Sequence, residues 1–267
     1  MMNQAFDAIA EGYDLSFTFT QIGKFQREIV RKYLQSSLLS KKKLNILELN
    51  SGTGADAIWL AKNGHRVMAT DISEKMLEIM NQKIESEKLN SQIQTMNVDI
   101  TQINDYHFNE RYDFVFSNFG GLNCVQQDDM RKLPEVIRNL LELNGRIVLV
   151  IMSKYCIWET IYFLMKFNFK NAFRRYSDEG TTAKLNESDL KTYYYTPKQI
   201  KDIFKDYFDV IAIKPVGIAI PPSYLEKFFA TKRRALNFLE KIERLFENNI
   251  FTANFSDHFL IDLQVKK

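Results

Sequence analysis

Apolar and polar residues alternate along the first half of the chain in a pattern typical of strands joined by helices. Five short apolar runs begin near residues 44, 66, 93, 112 and 146, and most of the stretches between them have helical spacing. Strands buried on both faces are continuous apolar runs, and intervening helices allow the strands to run parallel. The pattern therefore predicts an α/β fold with a doubly wound sheet.

Two further regions flank this alternating core. Before it, Ile22, Phe25, Ile29 and Tyr33 have the spacing of an amphipathic helix. After it, an aromatic-rich helical stretch over residues 155–175 leads into a polar loop, Ser177 to Ser188. Two more strands are expected at Asp209 to Val216 and at His258 to Val265, with a helix between them. We find no linker between separate cores, so a single domain is expected.

Composition and charge restrict the possible classes of function. The 267 residues carry 36 basic and 33 acidic side chains, a net charge of +3, which does not by itself indicate a nucleic-acid partner. The two cysteines and three separated histidines predict neither a disulfide framework nor a metal site. No secretory signal or membrane span is predicted. We expect a cytoplasmic protein, a monomer or a homodimer, acting on a small molecule.

A glycine turn follows the first strand and is the strongest chemical signal. Gly52 and Gly54 lie between that strand and a helix, where a backbone without side chains allows a ligand to approach the helix N-terminus. With alanine in the third glycine position, the turn also fits the dinucleotide pattern. Asp71 ends the second strand, where a carboxylate is placed to accept hydrogen bonds from a ribose. Asp99 and Ile100 follow the third strand, suited to an adenine.

Several spaced segments together resemble the class I S-adenosylmethionine-dependent methyltransferases, in particular the small-molecule enzymes with a methyltransferase-11/25-type domain. The resemblance covers about residues 44–152. One departure is Asn50, which stands where the family usually has glycine, and asparagine tolerates unusual backbone angles. The matching segments are Ile46 to Gly54, Val67 to Ser73, Asn97 to Ile100, Tyr112 to Phe119 and Leu143 to Leu149.

The resemblance implies a Rossmann-like sheet of seven strands, the last antiparallel, and S-adenosylmethionine as the cofactor. It divides the single domain into a helical lid (1–40), a cofactor-binding core (41–152), a substrate-side insertion (153–205) and C-terminal strands with a helix (206–267). The cofactor-binding residues it implies are Tyr13, Glu48, Asn50, Gly52, Gly54, Asp71, Ile72, Asp99, Ile100, Ser117 and Asn118.

The acceptor is expected beyond the carboxyl ends of the strands, next to the aromatic insertion. The candidate substrate-binding residues are Phe119, Asn123, Trp158, Tyr162 and Tyr194. This favours transfer to an oxygen or nitrogen of an apolar or aromatic acceptor, mainly through proximity. The candidate general base is His258. Two other hypotheses remain open: the chain is a nicotinamide- or flavin-dependent oxidoreductase, or it is a non-catalytic regulator that binds S-adenosylmethionine.

Overall fold

A computed structural model describes residues 2–39, 42–185 and 188–267. Seven strands form one sheet in the order β3-β2-β1-β4-β5-β9-β8, and β6 and β7 form a separate hairpin. The strands are β1 (Asn45–Leu49), β2 (Arg66–Asp71), β3 (Ile93–Asn97), β4 (Tyr112–Ser117), β5 (Leu141–Met152), β6 (Thr181–Leu185), β7 (Ser188–Thr192), β8 (Phe208–Val216) and β9 (His258–Val265).

Helices cover both faces of the sheet. They are α1 (Met2–Asp7), α2 (Ala10–Tyr13), α3 (Gln21–Leu34), α4 (Ala55–Lys62), α5 (Glu74–Ser86), α6 (Gln127–Leu140), α7 (Ile157–Met165), α8 (Phe169–Ala172), α9 (Pro197–Phe204), α10 (Glu226–Phe229) and α11 (Arg233–Phe246). Within the described ranges, no helix combines the length and the apolarity that crossing a membrane requires.

The sheet has the predicted arrangement. Strand β9 runs antiparallel to both β5 and β8, while the neighbouring pairs among β1 to β5 are parallel. The expected α/β class, the seven strands and the antiparallel last strand are therefore confirmed. The order reverses between β1 and β4, and in open α/β sheets ligands bind at such a reversal, beyond the carboxyl ends of the strands.

Alternating side chains of the central strands build the two main cores. Ile46 and Phe114 face one layer of helices, whereas Leu47 and Val115 face the other, and all four are fully buried. Local signals fix where the helices begin: the Ser73 hydroxyl accepts the Met76 N–H at 3.1 Å and so caps α5. The strand ends are held on a rigid, doubly covered sheet.

The region after β5 differs from expectation in one element. Part of the predicted polar loop from Ser177 to Ser188 belongs to the β6–β7 hairpin, while residues 186 and 187 lie outside the described residues. The sequence shows no apolar alternation there because the two strands pair with each other rather than with the buried sheet. This hairpin contributes residues to the site described next.

Candidate functional site

A cleft of about 260 Å³ lies at the carboxyl edge of the sheet, where the chain leaves β1, β2, β4 and β5. The N-terminal helices and the β6–β7 hairpin complete its walls. Its lining residues are Phe6, Ile9, Tyr13, Asn50, Gly52, Asp71, Ile72, Met76, Ile100, Phe119, Gly120, Gly121, Cys124, Met152, Leu190 and Thr192. The lining is therefore mostly apolar, with a few polar groups concentrated at the β1 and β2 ends.

The turn after β1 adopts the left-handed backbone that its sequence suggests. Asn50 has φ of 53°, Gly52 of 54° and Gly54 of 80°. The two glycines differ in what they face. A Cβ at Gly54 would lie 2.3 Å from Cγ of Met80, whereas one at Gly52 would meet only Tyr13, 3.8 Å away. Gly54 thus allows close packing on α5, and Gly52 keeps the cleft open.

Asp71 is the charged group of the cleft. Its two carboxylate oxygens accept the Gly52 N–H at 2.7 Å and the Ser73 N–H at 2.9 Å. Burial raises the pKa of Asp71 above its ordinary value, although these two hydrogen bonds oppose the shift. A carboxylate offers about four acceptor positions, so these bonds leave capacity for two hydroxyl donors from a ligand.

The ends of β2 and β3 bring two apolar side chains beside Asp71. Ile72 and Ile100 both line the cleft, as expected for residues that contact a planar ring. The carboxylate of Asp99 instead accepts the Thr101 N–H at 2.9 Å and caps the short helix after β3. Asp99 is half-buried and is not among the cleft-lining residues.

Glu48 lies behind the glycine turn rather than in the main cleft. It borders a small polar chamber of about 20 Å³, shared with Arg27, Asp56 and Asn118. Its Oε2 is buried and finds no hydrogen-bond partner among the described residues. Burial and the nearby negative charge of Asp56 raise the pKa of Glu48 well above its ordinary value. A space of this size is just large enough for a water molecule.

A buried ionic cluster fixes the turn to the N-terminal region, and the sequence analysis did not identify it. Asp56, in the first turn of α4, pairs with Arg27 and with Arg31 of α3, the latter at 2.8 Å. Asn118 donates to the same carboxylate at 2.8 Å. Ser117 is buried beside Asn50, with its hydroxyl 3.5 Å from the amide oxygen. Ser117 and Asn118, expected among the cofactor-binding residues, therefore border the glycine turn, and neither lines the cleft.

The N-terminal segment covers the cleft. Phe6, Ile9 and Tyr13 all line it, and burial raises the pKa of Tyr13 to about 12, so the phenol stays protonated near neutral pH. The segment forms helices outside the sheet, so strand spacing could not place it, and the position of Tyr13 was implied by the family resemblance.

Two acidic side chains attach this segment to the core. Asp7 accepts the Ser73 hydroxyl at 2.5 Å, and Asp14 accepts the Thr53 hydroxyl at 2.7 Å while pairing with Lys83. These contacts join the segment to the same two strand-end turns that carry Gly52 and Asp71.

Phe119 and Asn123 of the loop after β4 have different roles. Phe119 lines the cleft with φ of 49°. Asn123 is fully buried: its amide donates to the Tyr193 carbonyl at 2.6 Å, and its oxygen accepts the Met152 N–H at 3.0 Å. It therefore holds the segment after β7 against the end of β5, so it shapes this wall of the cleft from behind.

Trp158, Tyr162 and Tyr194 lie outside the cleft. Trp158 and Tyr162 pack against a small apolar cluster formed by the N-terminal and C-terminal helices. The Trp158 indole donates to the Ala219 carbonyl at 3.2 Å. Tyr194 is buried with its ring beneath the guanidinium of Arg175. The structure therefore does not bring these three candidates together with Phe119.

His258 lies just behind the cleft wall. Its ring contacts Phe119 edge to face, with centroids 5.3 Å apart, and its Nδ1 is 3.3 Å from a carboxylate oxygen of Asp257. Asp257 also accepts from Gln26 at 3.0 Å and from Arg175 at 2.9 Å. Burial opposes ionisation of Asp257, but His258 and Arg175 hold its pKa well below the usual range. His258 thus belongs to a buried charged network beside the site.

Comparisons with known proteins agree with this geometry. A family model described as a methyltransferase domain matches residues 46–145. A demethylmenaquinone methyltransferase of Clavibacter sepedonicus is 30% identical over 145 residues, which are 54% of this chain and 55% of the relative. A tRNA 5-carboxymethoxyuridine methyltransferase of Escherichia coli K12 is 29% identical over 35% of this chain and 37% of its own length. The matches thus span about half or less of these relatives.

Solved structures resemble the whole chain. The CcbJ methyltransferase of Streptomyces caelestis superposes with a TM-score of 0.65 at 15% identity and covers 100% of both chains. At this sequence identity the similarity shows a common fold and no more. The common fold includes the regions outside residues 46–145.

Proposed function

We propose that this chain, which carries a methyltransferase domain of the class I S-adenosylmethionine-dependent type, is an enzyme that methylates an oxygen or nitrogen of a small apolar or aromatic acceptor. The observation that carries the proposal is the cleft in which Gly52, Asp71 and Phe119 meet, at the switch point of the sheet. The names of the two relatives indicate different acceptors, so the acceptor class is inferred from the cleft itself.

The cleft residues fit the parts of the cofactor. Asp71 has acceptor capacity for two ribose hydroxyls, and Ile72 and Ile100 offer apolar surface to an adenine ring. The turn around Gly52 is open to a methionine chain, and Tyr13 faces it from the opposite side. Bound there, S-adenosylmethionine supplies a methyl group on a positively charged sulfur.

The acceptor end of the cleft favours an uncharged substrate. Among the described residues that line the cleft, Asp71 alone carries a charge, and the wall formed by Phe119, Cys124, Met152 and Leu190 is apolar. Such a wall excludes water and orients an apolar acceptor. These two effects supply most of the rate enhancement for nucleophilic displacement at a methyl carbon. A charged acceptor would lack a partner there.

His258 is proposed to act on the acceptor through the Phe119 wall. Its ring packs against Phe119, and its Nδ1 is 3.3 Å from a carboxylate oxygen of Asp257. A His258→Gln variant separates the roles. As a general base, His258 would make kcat depend on an ionisation that the variant loses; as a positioning residue, it would change KM and leave the pH profile intact.

Calorimetric titration with S-adenosylmethionine, S-adenosylhomocysteine and NADH tests the proposal. We expect micromolar binding of the first two ligands and none of NADH. Binding of NADH alone would support the oxidoreductase reading instead. If both sulfur ligands bind but no methyl group is transferred to any apolar phenol or amine offered, the non-catalytic regulator is favoured.

A further inference from the structure

Helix α7 exposes an apolar stripe that no part of the described chain covers. Ile157, Ile161 and Met165 are four residues apart, so they share one face of the helix, and they are 44%, 49% and 77% exposed. Phe167, just beyond the helix, is 84% exposed. Glu159, on the opposite side of α7, faces inward and is 1% exposed. Single exposed apolar residues are ordinary, but a contiguous stripe indicates a contact surface.

Exposed apolar side chains also lie on segments that contact α7. Tyr224, which precedes α10, meets Tyr162 of α7 with ring centroids 5.7 Å apart. Phe169 of α8 and Phe228 of α10 are 61% and 59% exposed. We call this surface the α7 face, formed by Ile157, Ile161, Met165, Phe167, Phe169 and Phe228.

The segments that form the α7 face are strongly basic. Residues 155–176 and 221–238 contain eight basic and two acidic side chains, a net charge of +6 in a chain whose total is +3. Both acids are engaged internally. Glu159 is 1% exposed and binds Arg174 and Arg175, and Glu226 accepts the backbone N–H groups at the start of α3. Arg174 and Arg175 are engaged with these internal acids, and the exposed cations of the two segments are Lys166, Lys170, Lys227, Lys232, Arg233 and Arg234.

We propose that the α7 face docks this protein onto the surface of a membrane that contains anionic lipids. Bulky aliphatic and aromatic side chains surrounded by lysine and arginine are the combination that lies at a bilayer interface, where the apolar groups enter the acyl boundary and the cations meet the headgroups. A single-stranded nucleic acid would match the cations and the rings, but Ile157, Ile161 and Met165 offer no stacking surface to bases.

The α7 face adjoins the edge of the sheet that carries the cleft. Met152 ends β5 and lines the cleft, and α7 begins at Ile157. Docking through this face would therefore bring the carboxyl edge of the sheet near the bilayer, which suits delivery of an apolar molecule. The docking itself does not depend on methyl transfer, so the two proposals fail separately.

Vesicle sedimentation with the full chain tests the proposal. The probes are vesicles of phosphatidylcholine alone and vesicles that also contain phosphatidylglycerol. We expect binding to the second kind, weakened by salt because the headgroup attraction is screened. The double variant Ile161→Asp with Met165→Asp is expected to bind about tenfold more weakly or worse. Leu143→Asp is the control. Leu143 is 72% exposed near the start of β5, at the edge of the sheet opposite to the cleft.

The remaining outcomes contradict the proposal. Absence of binding to phosphatidylglycerol vesicles would overturn it, and so would equal loss in the Leu143→Asp control. If the double variant instead loses binding to bulk tRNA, the face is a nucleic-acid surface. If light scattering shows that the parent chain is a dimer and the double variant is a monomer, a second copy of the chain covers the face. Unchanged circular dichroism and melting of the variants exclude misfolding as the cause.

Discussion

The strand ends that carry the cleft and the aromatic insertion after β5 are stabilised in different ways. At the β1 and β2 ends, short backbone hydrogen bonds hold Asp71 and Gly52 in place on a rigid sheet. In the insertion, Trp158 and Tyr162 pack into a separate apolar cluster, and a buried charged network around Arg175 ties the insertion to β9. The positions of side chains at strand ends are therefore set by the sheet itself. The positions of side chains in an insertion depend instead on how the insertion packs against the rest of the chain.

The largest expected effect is on stability, at Arg175. Its guanidinium is buried and bonds Glu159 and Asp257 at 2.9 Å each. Arg175→Met would leave buried carboxylates without their cation, and we expect the free energy of unfolding to fall by about 3–5 kcal/mol. Urea denaturation measures this loss. Arg244→Met, which removes an exposed pairing with Glu240, is the control and should cost less than about 1 kcal/mol.

The next effect is on ligand affinity, at Asp71. Asp71→Asn keeps the shape but removes the charge from the proposed ribose contacts, and each charge-assisted bond is worth about 1.5–3 kcal/mol. We expect affinity for S-adenosylhomocysteine to fall by roughly a hundredfold in calorimetry. Asp113→Asn is the control, since Asp113 also accepts a backbone N–H, from Asn45 at 2.9 Å, but lies at the amino edge of the sheet. Equal losses in both variants would contradict the placement.

A smaller effect concerns the pH dependence of stability. Because the pKa of Glu48 is raised in the folded chain, the folded state holds this proton more tightly than the unfolded state does. Stability is then lost as pH rises above about 4.3, the ordinary value for glutamate, and through the folded pKa. Glu48→Gln stays neutral, so its stability advantage over the parent chain should grow with pH. An advantage that shrinks as pH rises would show that Glu48 is ionised in the folded state.

The smallest effect distinguishes the cleft wall from the insertion outside it. Trp158→Phe removes a hydrogen bond to Ala219 and should cost about 1 kcal/mol of stability. Because Trp158 lies outside the cleft, KM for an acceptor should change less than about twofold, whereas Phe119→Leu, at the cleft wall, should raise it several-fold more. Steady-state kinetics with a working acceptor measures both. A larger change in KM from Trp158→Phe would indicate that Trp158 contacts the acceptor.

The sequence predicted the elements that follow from local, repeating patterns and missed the contacts between segments far apart in the chain. Strand spacing predicted that Asp71 and Ile100 lie at the carboxyl edge of the sheet, and the family resemblance implied Ile72. All three line the cleft. Asn50, which stands where the family usually has glycine, has a φ of 53°, an angle that asparagine tolerates. The pairing of Asp56 with Arg27 joins residues far apart in the chain, and no short-range pattern signals it. The aromatic spacing of α7 could not show which face turns inward.

Hydrogen exchange of the full chain with and without S-adenosylhomocysteine tests the location of the site most directly. Binding at the strand ends should slow exchange in the N-terminal segment (residues 2–20), in the glycine turn (50–54) and at the end of β2 and beyond (71–76), where backbone amides lie at the cleft. Helix α7 should exchange unchanged. Protection centred on residues 157–165, with none at the glycine turn, would contradict the account.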